Sequence, residues 1–448
     1  MQEHQILLAF SFLILLIPSI TFLLNSNGLL WDLPGHIAEV KVFQQLFPNI
    51  YGWNHYFLFG YPIYLYPPGS RLIAIPFSYF IGAENAVKLL LAIFCVGIPF
   101  SIYLFLSNRW MDKTPAAYVT FLISLFMVTI NSPFSLTLYS AYFVGLYANF
   151  VAVFFFFLSL AYLHSDWRLC GLFGALTLLS NLVAGLSLFI FLTALFLSRD
   201  KIFNDLNGFI LSCLIISGLS AFWLLPFFYE SFLSGFGGAV FETDLNISNI
   251  TEKFFISLLG LLISLFYFYL LSLKTSNYPY LFIGLFCVIL ILDILVTITA
   301  SYPLLVLPSS ILFLSSPFIA ILSFSEYKSF VKFLSLVFIL FFSLQCLWVI
   351  VFSSSSIASL IYLHTYRILS FIEVFHFIPV GIAIHKFFGQ QFSFNQRILA
   401  ILLFPLIFVF FHLLHFSQYT LHSLQYILIR MRLPTHTIFH TLMLLVEH

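Results

Sequence analysis

The stretch ILLAFSFLILLIPSITFLL, residues Ile6 to Leu24, carries no charged side chain. A run of this length is typical of a helix that crosses the hydrocarbon core of a bilayer, which takes about 20 apolar residues. It resembles a secretory signal peptide in its position, but it lacks a basic segment before it and a small-x-small cleavage site after it. We therefore expect a retained first membrane helix.

The composition of the whole chain indicates the same environment. Of the 448 residues, 62% are hydrophobic and only 7% are charged, whereas about 25% are charged in ordinary soluble domains. The apolar runs are long and continuous, unlike the short alternating segments of a β-barrel. The net charge of +1 gives no indication of a nucleic-acid partner. The five cysteines lie inside apolar runs without CxxC spacing, which predicts buried core residues.

The apolar runs predict an all-α polytopic membrane protein with about 11 to 13 helices, in a single domain over 1–448. Asn181 and Gly185 interrupt the run 170–197, which predicts a hairpin of two short helices. The stretch 69–83 is short and contains Pro76, so we expect a helix that lies on the membrane surface. The remaining runs fall at about 6–24, 87–107, 116–131, 145–164, 206–228, 254–273, 279–299, 304–323, 331–352, 367–387 and 398–416.

The basic residues predict the orientation of these helices. With the N-terminus in the cytoplasm, most loop cations fall on the cytoplasmic side, as the positive-inside rule requires. The opposite side then holds the first loop, about 25–86, and the glycosylation sequons at Asn246 and Asn249. We expect a plasma-membrane or endoplasmic-reticulum protein with an extracytoplasmic active face and an interfacial C-terminal segment, about 418–448. The cytoplasmic cations are Arg109, Lys113, Arg168, Arg199, Lys201, Lys274, Lys328, Lys332, Lys386 and Arg397.

The first loop opens with GLLWDLPGHIAEV, Gly28 to Val40, which holds three ionisable side chains. Asp32, His36 and Glu39 are spaced i, i+4 and i+7, which places them on one face of a helix. Pro34 suits a first turn and Asp32 suits an N-cap, so a purely structural role remains open for Asp32. Long loops and ionisable groups near a membrane favour a functional role instead. Asp32, His36 and Glu39 are thus candidate catalytic residues, and Asp32 and His36 are candidate ligands of Mg²⁺ or Mn²⁺.

The same loop continues with IYGWNHYFLFGYPIYLYPPGSRL, Ile50 to Leu72, which is dense in aromatic residues. An interfacial aromatic belt accounts for part of this composition. Aromatic faces beside a carboxylate also suit a cleft for a sugar or a lipid headgroup, with Trp53 and Tyr61 as candidate contacts.

The first loop, WDLPGHIAEV…YGWNHYFLFGYPIYLYPPG, resembles that of the membrane proteins named 6-pyruvoyl-tetrahydropterin synthase-related. SAFWLLPFF (Ser220 to Phe228) and YRILSFIEVFHFIPVGIAI (Tyr366 to Ile384) extend the resemblance. That family is similar to a branch of the GT-C superfamily, whose members transfer sugars from polyprenyl-phosphate donors. The resemblance implies a GT-C-like fold in which Asp32 occupies the position of the catalytic first-loop aspartate. The second outer loop, Asn131 to Tyr147, departs from several GT-C enzymes because it has no acidic residue.

The implied chemistry gives roles to further residues. Transfer needs a base for the acceptor proton, which is Asp32, and a cation for the leaving phosphate. Arg367, near His364 and Tyr366, is the main candidate for the phosphate, although a snorkelling anchor at the interface is an equal alternative. Arg71 is a second candidate for the phosphate, and Glu230 is a candidate for orienting the substrate. The expected partners are a lipid-linked sugar donor, membrane lipids and an unidentified acceptor.

Two other functions fit the sequence. Asp293 lies within a predicted membrane helix, and Glu373 and His376 are spaced i, i+3 in another. Ionisable groups at membrane depth favour a lipid or solute transporter. The second alternative is a non-catalytic GT-C-like scaffold.

Overall fold

The computed structural model describes residues 2–24, 32–55, 61–63, 66–129, 136–163, 165–198 and 206–234, with scattered positions at 327–343 and 374–386. The chain separates into two compact units, Met1–Phe387 and Phe388–His448, and every described residue lies in the first. One membrane domain over 1–448 stays a prediction, as do the membrane helices expected between 254 and 323 and over 398–416.

The described part is mostly helical, as predicted, with a π-helical turn at Tyr139–Val144 and two strands of two residues each. The strands, β1 (Trp53–Asn54) and β2 (Tyr61–Pro62), form an antiparallel ribbon that the sequence did not predict. The helices are α1 (Glu3–Leu24), α2 (Leu33–Leu46), α3 (Gly69–Ile81), α4 (Ala83–Ser107), α5 (Lys113–Thr129), α6 (Tyr147–Tyr162), α7 (Trp167–Ser180), α8 (Leu182–Leu197) and α9 (Leu206–Ser234).

Three of the described helices are long and apolar enough to cross a membrane, namely α1, α4 and α9. The helices α5 to α8 are also apolar but have only 14 to 17 residues. The predicted hairpin within 170–197 is confirmed, with the break at Asn181, whose side chain accepts a hydrogen bond from Ala184 N at 3.0 Å and so caps α8. Gly185 was wrongly assigned to this break. It lies inside α8, where a Cβ atom would approach Leu178 Cα of α7 to 2.7 Å, so it permits close packing of the two helices.

Contacts between helices show that the long elements alternate in direction. Tyr118 of α5 donates to Glu3 Oε1 at the start of α1 (2.7 Å), so α1 and α5 run the same way. The Phe94–Phe154 and Phe105–Phe157 contacts show that α4 and α6 also run in the same direction as each other. Ser212 of α9 donates to Trp167 O at the start of α7 (3.1 Å), and Leu179, near the end of α7, packs with Trp223 of α9.

This alternation brings several predicted cytoplasmic cations to one end of the helix assembly. Arg109 and Lys113 flank the α4–α5 connection, and Arg168 lies in the first turn of α7. The His385 ring, next to Lys386, lies 5.4 Å from the Tyr118 ring near the same end. Asp32, which follows α1, lies at the opposite end, and we call that end the Asp32 end.

Phenylalanine rings fill much of the core between the helices. Phe156 of α6 meets Phe191 of α8 at 5.0 Å, and Phe191 stacks on Phe375 at 5.7 Å. Phe333 lies 6.2 Å from Phe105 of α4, so positions from the later part of the chain share this core. Buried hydroxyls such as those of Ser11 and Thr120 donate to the carbonyl four residues earlier, which satisfies them without polar partners on other helices.

The described residues of the first loop form a layer of α2, the β1–β2 ribbon and α3. The helix start predicted at Asp32 and Pro34 is confirmed as the start of α2. The helix predicted within 69–83 is confirmed as α3, whose 13 residues span about 20 Å and cannot cross a hydrocarbon core of about 30 Å. Ala74, Ile75 and Ser78 of α3 are buried, whereas Phe80 is 89% exposed and Phe77 is also exposed. The surface of α3 opposite the core is therefore apolar and aromatic.

The π-helical turn docks this layer onto the helix assembly through Gly145. Gly145 has a φ of +83°, a left-handed conformation that favours glycine. A Cβ atom there would lie 2.8 Å from Leu33 Cα and would also clash with Leu33 N. Both the conformation and the close approach therefore require glycine at the point where the second outer loop meets α2.

We expect Gly145→Ala to destabilise the protein by at least about 1–2 kcal/mol, from the left-handed conformation alone, with further loss from the contact with Leu33. Thermal unfolding in detergent measures this. Gly35→Ala is the matched control, because Gly35 lies in α2 with nothing within 4 Å of the added Cβ atom. It should raise stability slightly, as Ala favours a helix over Gly by about 0.5–1 kcal/mol. Unfolding of Gly145→Ala at the same temperature as the wild type would contradict the requirement for glycine at position 145.

Candidate functional site

Asp32 is held through its backbone at the first turn of α2. Its N–H group donates to Val144 O at 2.9 Å, and its carbonyl oxygen accepts from His36 N at 3.1 Å. Asp32 occupies the N-cap position with Pro34 just inside the helix, as predicted, but its carboxylate makes no capping hydrogen bond. The carboxylate is exposed. The structural role left open by the sequence is thus filled by the Asp32 backbone and not by its side chain.

His36 and Glu39 lie close together one turn further along α2. His36 Nδ1 is 3.8 Å from Glu39 Oε2, and their side chains are only 12% and 18% exposed. The predicted proximity of these two residues is confirmed. Among the described residues, the Asp32 carboxylate accepts no hydrogen bond from His36. Asp32 is exposed, whereas His36 and Glu39 are half-buried.

Two tyrosines flank the His36 ring. Tyr66, before α3, and Tyr147, the first residue of α6, have ring centroids 6.1 Å and 5.9 Å from that of His36. Tyr147 is buried, and its hydroxyl donates to Ser70 O at 2.8 Å. This one side chain therefore joins α6 to α3 and closes one side of the space around His36.

Arg71, in the first turn of α3, is 1% exposed. Its Nη2 atom donates to Ile63 O at 3.2 Å, to Pro67 O at 3.3 Å and to Tyr66 O. Its guanidinium lies over the rings of Phe43 and Tyr66, at 5.2 and 5.4 Å from the centroids. The Tyr66 ring thus neighbours both Arg71 and His36, so the predicted catalytic and phosphate-binding residues of the first loop share one layer.

The other predicted site residues are less closely associated or fall outside the described part. Trp53 is exposed on β1, and Tyr61 pairs with Asn54 through the ribbon. Glu230 lies within α9 near its C-terminal end, at the Asp32 end. His364, Tyr366, Arg367, Asn246, Asn249, Asp293, Glu373 and His376 lie outside the described residues.

In the described part of the chain, the structure adds no further candidate metal ligand to Asp32 and His36. No group of three or more His, Cys, Asp or Glu side chains comes together there. Asp32 and His36 stay predicted ligands of a divalent ion, with further ligands to come from substrate or water. Cys95 and Cys170 are buried thiols, as predicted, but Cys213 of α9 is only partly buried, so the prediction was wrong there. Cys287 and Cys346 lie outside the described residues.

Sequence reasoning missed Tyr147, Tyr66, Ser70 and Gly145 as parts of this site. Tyr66 and Ser70 belong to the aromatic loop that the sequence singled out, next to Pro67-Pro68. Gly145-Leu146-Tyr147 also had a signal, because a glycine directly before an apolar helix favours a tight turn. Its partner in α2 lies more than a hundred residues away and has no local signature.

Comparison with known proteins adds no relative: no family model, no curated protein and no solved structure matches this chain.

Because the Asp32 carboxylate makes no capping bond, we expect Asp32→Ala to change stability by no more than about 0.5 kcal/mol. Asp166 provides the matched control, since its carboxylate accepts from Arg168 N at 2.9 Å and from Leu169 N at 3.4 Å at the start of α7. Asp166→Ala should lower stability by about 1 kcal/mol. Thermal unfolding of both variants in detergent compares them. An equal loss of stability in the two variants would show that the Asp32 carboxylate caps α2 after all.

Proposed function

We propose that the protein is a membrane glycosyltransferase that moves a sugar from a polyprenyl-phosphate donor to an acceptor at the extracytoplasmic surface. The observation that carries the proposal is the state of Asp32. Its backbone is fixed on two sides, by Val144 O and His36 N, while its carboxylate is exposed and unused by the helix. A carboxylate held at a defined place but available to solvent suits a general base.

In the proposed reaction, the acceptor hydroxyl attacks C1 of the donor sugar. The proton of that hydroxyl passes to the Asp32 carboxylate as the new C1–O bond forms. The bond between C1 and the phosphate oxygen breaks, and its electron pair leaves with the phosphate. A cationic donor must stabilise the charge that develops there, which is the role proposed for Arg367 or Arg71.

His36 and Glu39 act in this proposal as an assisting pair. Glu39 Oε2 lies 3.8 Å from His36 Nδ1, so the carboxylate is placed to orient the imidazole. The rings of Tyr66 and Tyr147 restrict the orientation of that imidazole. If a divalent ion takes part, Asp32 and His36 would hold it, and it would neutralise phosphate charge.

The proposed architecture is a GT-C-like polytopic protein with 11 to 13 membrane helices and an extracytoplasmic first loop. The three apolar helices of membrane length and the cations gathered at the end opposite Asp32 support this orientation. The apolar outer surface of α3 supports its placement on the membrane surface. The transport alternative depends on Asp293, Glu373 and His376, which lie outside the described residues.

Cysteine labelling tests the orientation. Asp32 and Lys113 are exposed, so Asp32→Cys and Lys113→Cys should both react with a membrane-impermeant maleimide once the membrane is opened. In sealed cells only Asp32→Cys should react, because the two positions lie on opposite sides. The parent protein supplies the background from its own cysteines. Labelling of both variants in sealed cells would overturn the orientation and the extracytoplasmic site with it.

Substitution of the proposed base tests the chemistry. Asp32→Asn keeps the size of the side chain and should lower transfer from a lipid-linked sugar by about 10²–10⁴-fold while thermal stability holds. Asp166→Asn is the control, because it changes an aspartate far from the site, at the opposite end of the helix assembly. Transfer assays in membranes or nanodiscs report both. Undiminished transfer by Asp32→Asn would remove Asp32 as the base.

A further inference from the structure

The start of α3 is a buried helix N-terminus. The first hydrogen bond of the helix runs from Leu72 N to Pro68 O at 2.8 Å. The N–H groups of Gly69, Ser70 and Arg71 precede it, and no described residue accepts a hydrogen bond from them. Pro68, at the N-cap position, has no side chain that accepts hydrogen bonds. All three residues are buried, so bulk water does not solvate these groups.

The Arg71 side chain is directed to the same end of the helix. Its Nη2 atom bonds to the carbonyls of Ile63, Tyr66 and Pro67, all of which precede α3. Its Nε and Nη1 atoms are buried and have no hydrogen-bond partner in the described part of the chain. Neither of the two ion pairs found among the described residues includes Arg71. A buried guanidinium without a counter-charge is unfavourable, so this site favours an anion.

Ser70 adds a third kind of donor. Its side chain is 0% exposed, and its Oγ atom has no partner among the described residues. Its carbonyl oxygen is already used by the Tyr147 hydroxyl, which holds the first turn of α3 against α6. A buried hydroxyl without a partner is unfavourable, whereas a hydroxyl beside a bound anion can donate a hydrogen bond to it.

We propose that the first turn of α3 binds a phosphoryl group, through the N–H groups of residues 69–71, the Nε and Nη1 atoms of Arg71 and the Ser70 hydroxyl. A helix N-terminus combines directed N–H groups with the positive end of the helix dipole, which suits a phosphate. Arginine adds the planar, fork-like donor set that phosphate oxygens accept. The proposal deepens the proposed function and rests on it for the assignment of this group as the phosphate of the donor. It assigns that role to Arg71.

Direct binding to the full-length protein in nanodiscs tests the site without requiring transfer. Three probes are compared: a short-chain polyprenyl monophosphate, the polyprenol of the same chain and inorganic phosphate. The monophosphate should bind at least about tenfold more tightly than the polyprenol. Binding of the monophosphate but not of inorganic phosphate supports a lipid source, whereas binding of both supports a site that also takes free phosphate. Equal binding of polyprenol and monophosphate would overturn the proposal, as would binding of neither phosphate.

Variants then locate the binding. Arg71→Gln should weaken the monophosphate by about 10- to 100-fold and Ser70→Ala by about tenfold. Ser220→Ala is the matched control, because Ser220 is also 0% exposed and its Oγ atom also lacks a partner among the described residues, but it lies on α9. It should bind as the wild type does. If Arg71→Gln fails to fold, Ser70→Ala decides, since it removes only a hydroxyl without a partner in the described part.

If Arg71→Gln folds, wild-type affinity in both Arg71→Gln and Ser70→Ala would overturn the phosphoryl site. If Arg71→Gln does not fold, wild-type affinity in Ser70→Ala would overturn it. Failure of this inference is distinct from failure of the proposed function. Phosphate binding that depends on Arg71 and Ser70, without any transfer activity, would support the phosphoryl site and reject the proposed glycosyltransferase activity. Transfer that depends on Asp32, with phosphate binding unaffected by changes at Arg71 and Ser70, would support the proposed enzyme and reject the phosphoryl site.

Discussion

The hydrogen bond from Asp32 N–H to Val144 O is the interaction on which the candidate site depends. It exists because Gly145, in a left-handed conformation and without a side chain, lets the start of α2 approach the π-helical turn. The bond fixes Asp32 through its backbone and leaves the carboxylate exposed for other use. Sites whose residues are held by packed elements keep their geometry better than sites on loose loops. The start of α2 is therefore packed as part of the helix assembly.

Features with local signals were predictable from the sequence. The Asp32–Pro34 pattern marked the start of α2, and Asn181 marked the break between α7 and α8. Each of these rests on a preference of a few adjacent residues. The ribbon of β1 and β2 was not predictable, because strands of two residues are too short to show an alternating pattern. The contacts of Tyr147 with His36 and Ser70 join elements far apart in sequence, so no local pattern carried them.

Arg71 shows how tertiary packing changes the meaning of a residue. From the sequence, Arg71 is a second candidate for binding the phosphate. The structure buries it between the rings of Phe43 and Tyr66, which come from two different elements of the first loop. Guanidinium tolerates such a place better than an ammonium would, because it is less strongly hydrated and interacts with aromatic faces. Its three carbonyl acceptors also order the chain that leads into α3.

The apolar outer surface of α3 and its buried surface indicate how this helix is oriented in the proposed membrane arrangement. A helix of 13 residues whose outer surface carries Phe77 and Phe80 is suited to lie with that surface in the acyl-chain boundary. In the proposed membrane orientation, its buried first turn lies at about the depth of lipid headgroups, which is also the depth of the phosphate of the proposed lipid-linked donor. Under the proposed function, the exposed Asp32 lies on the aqueous side, where an acceptor can reach it. Under the proposed function, the donor therefore approaches within the membrane plane and the acceptor from outside it. The base and the phosphoryl site need not compete for the same space, because separate elements of the first loop, α2 and α3, supply them.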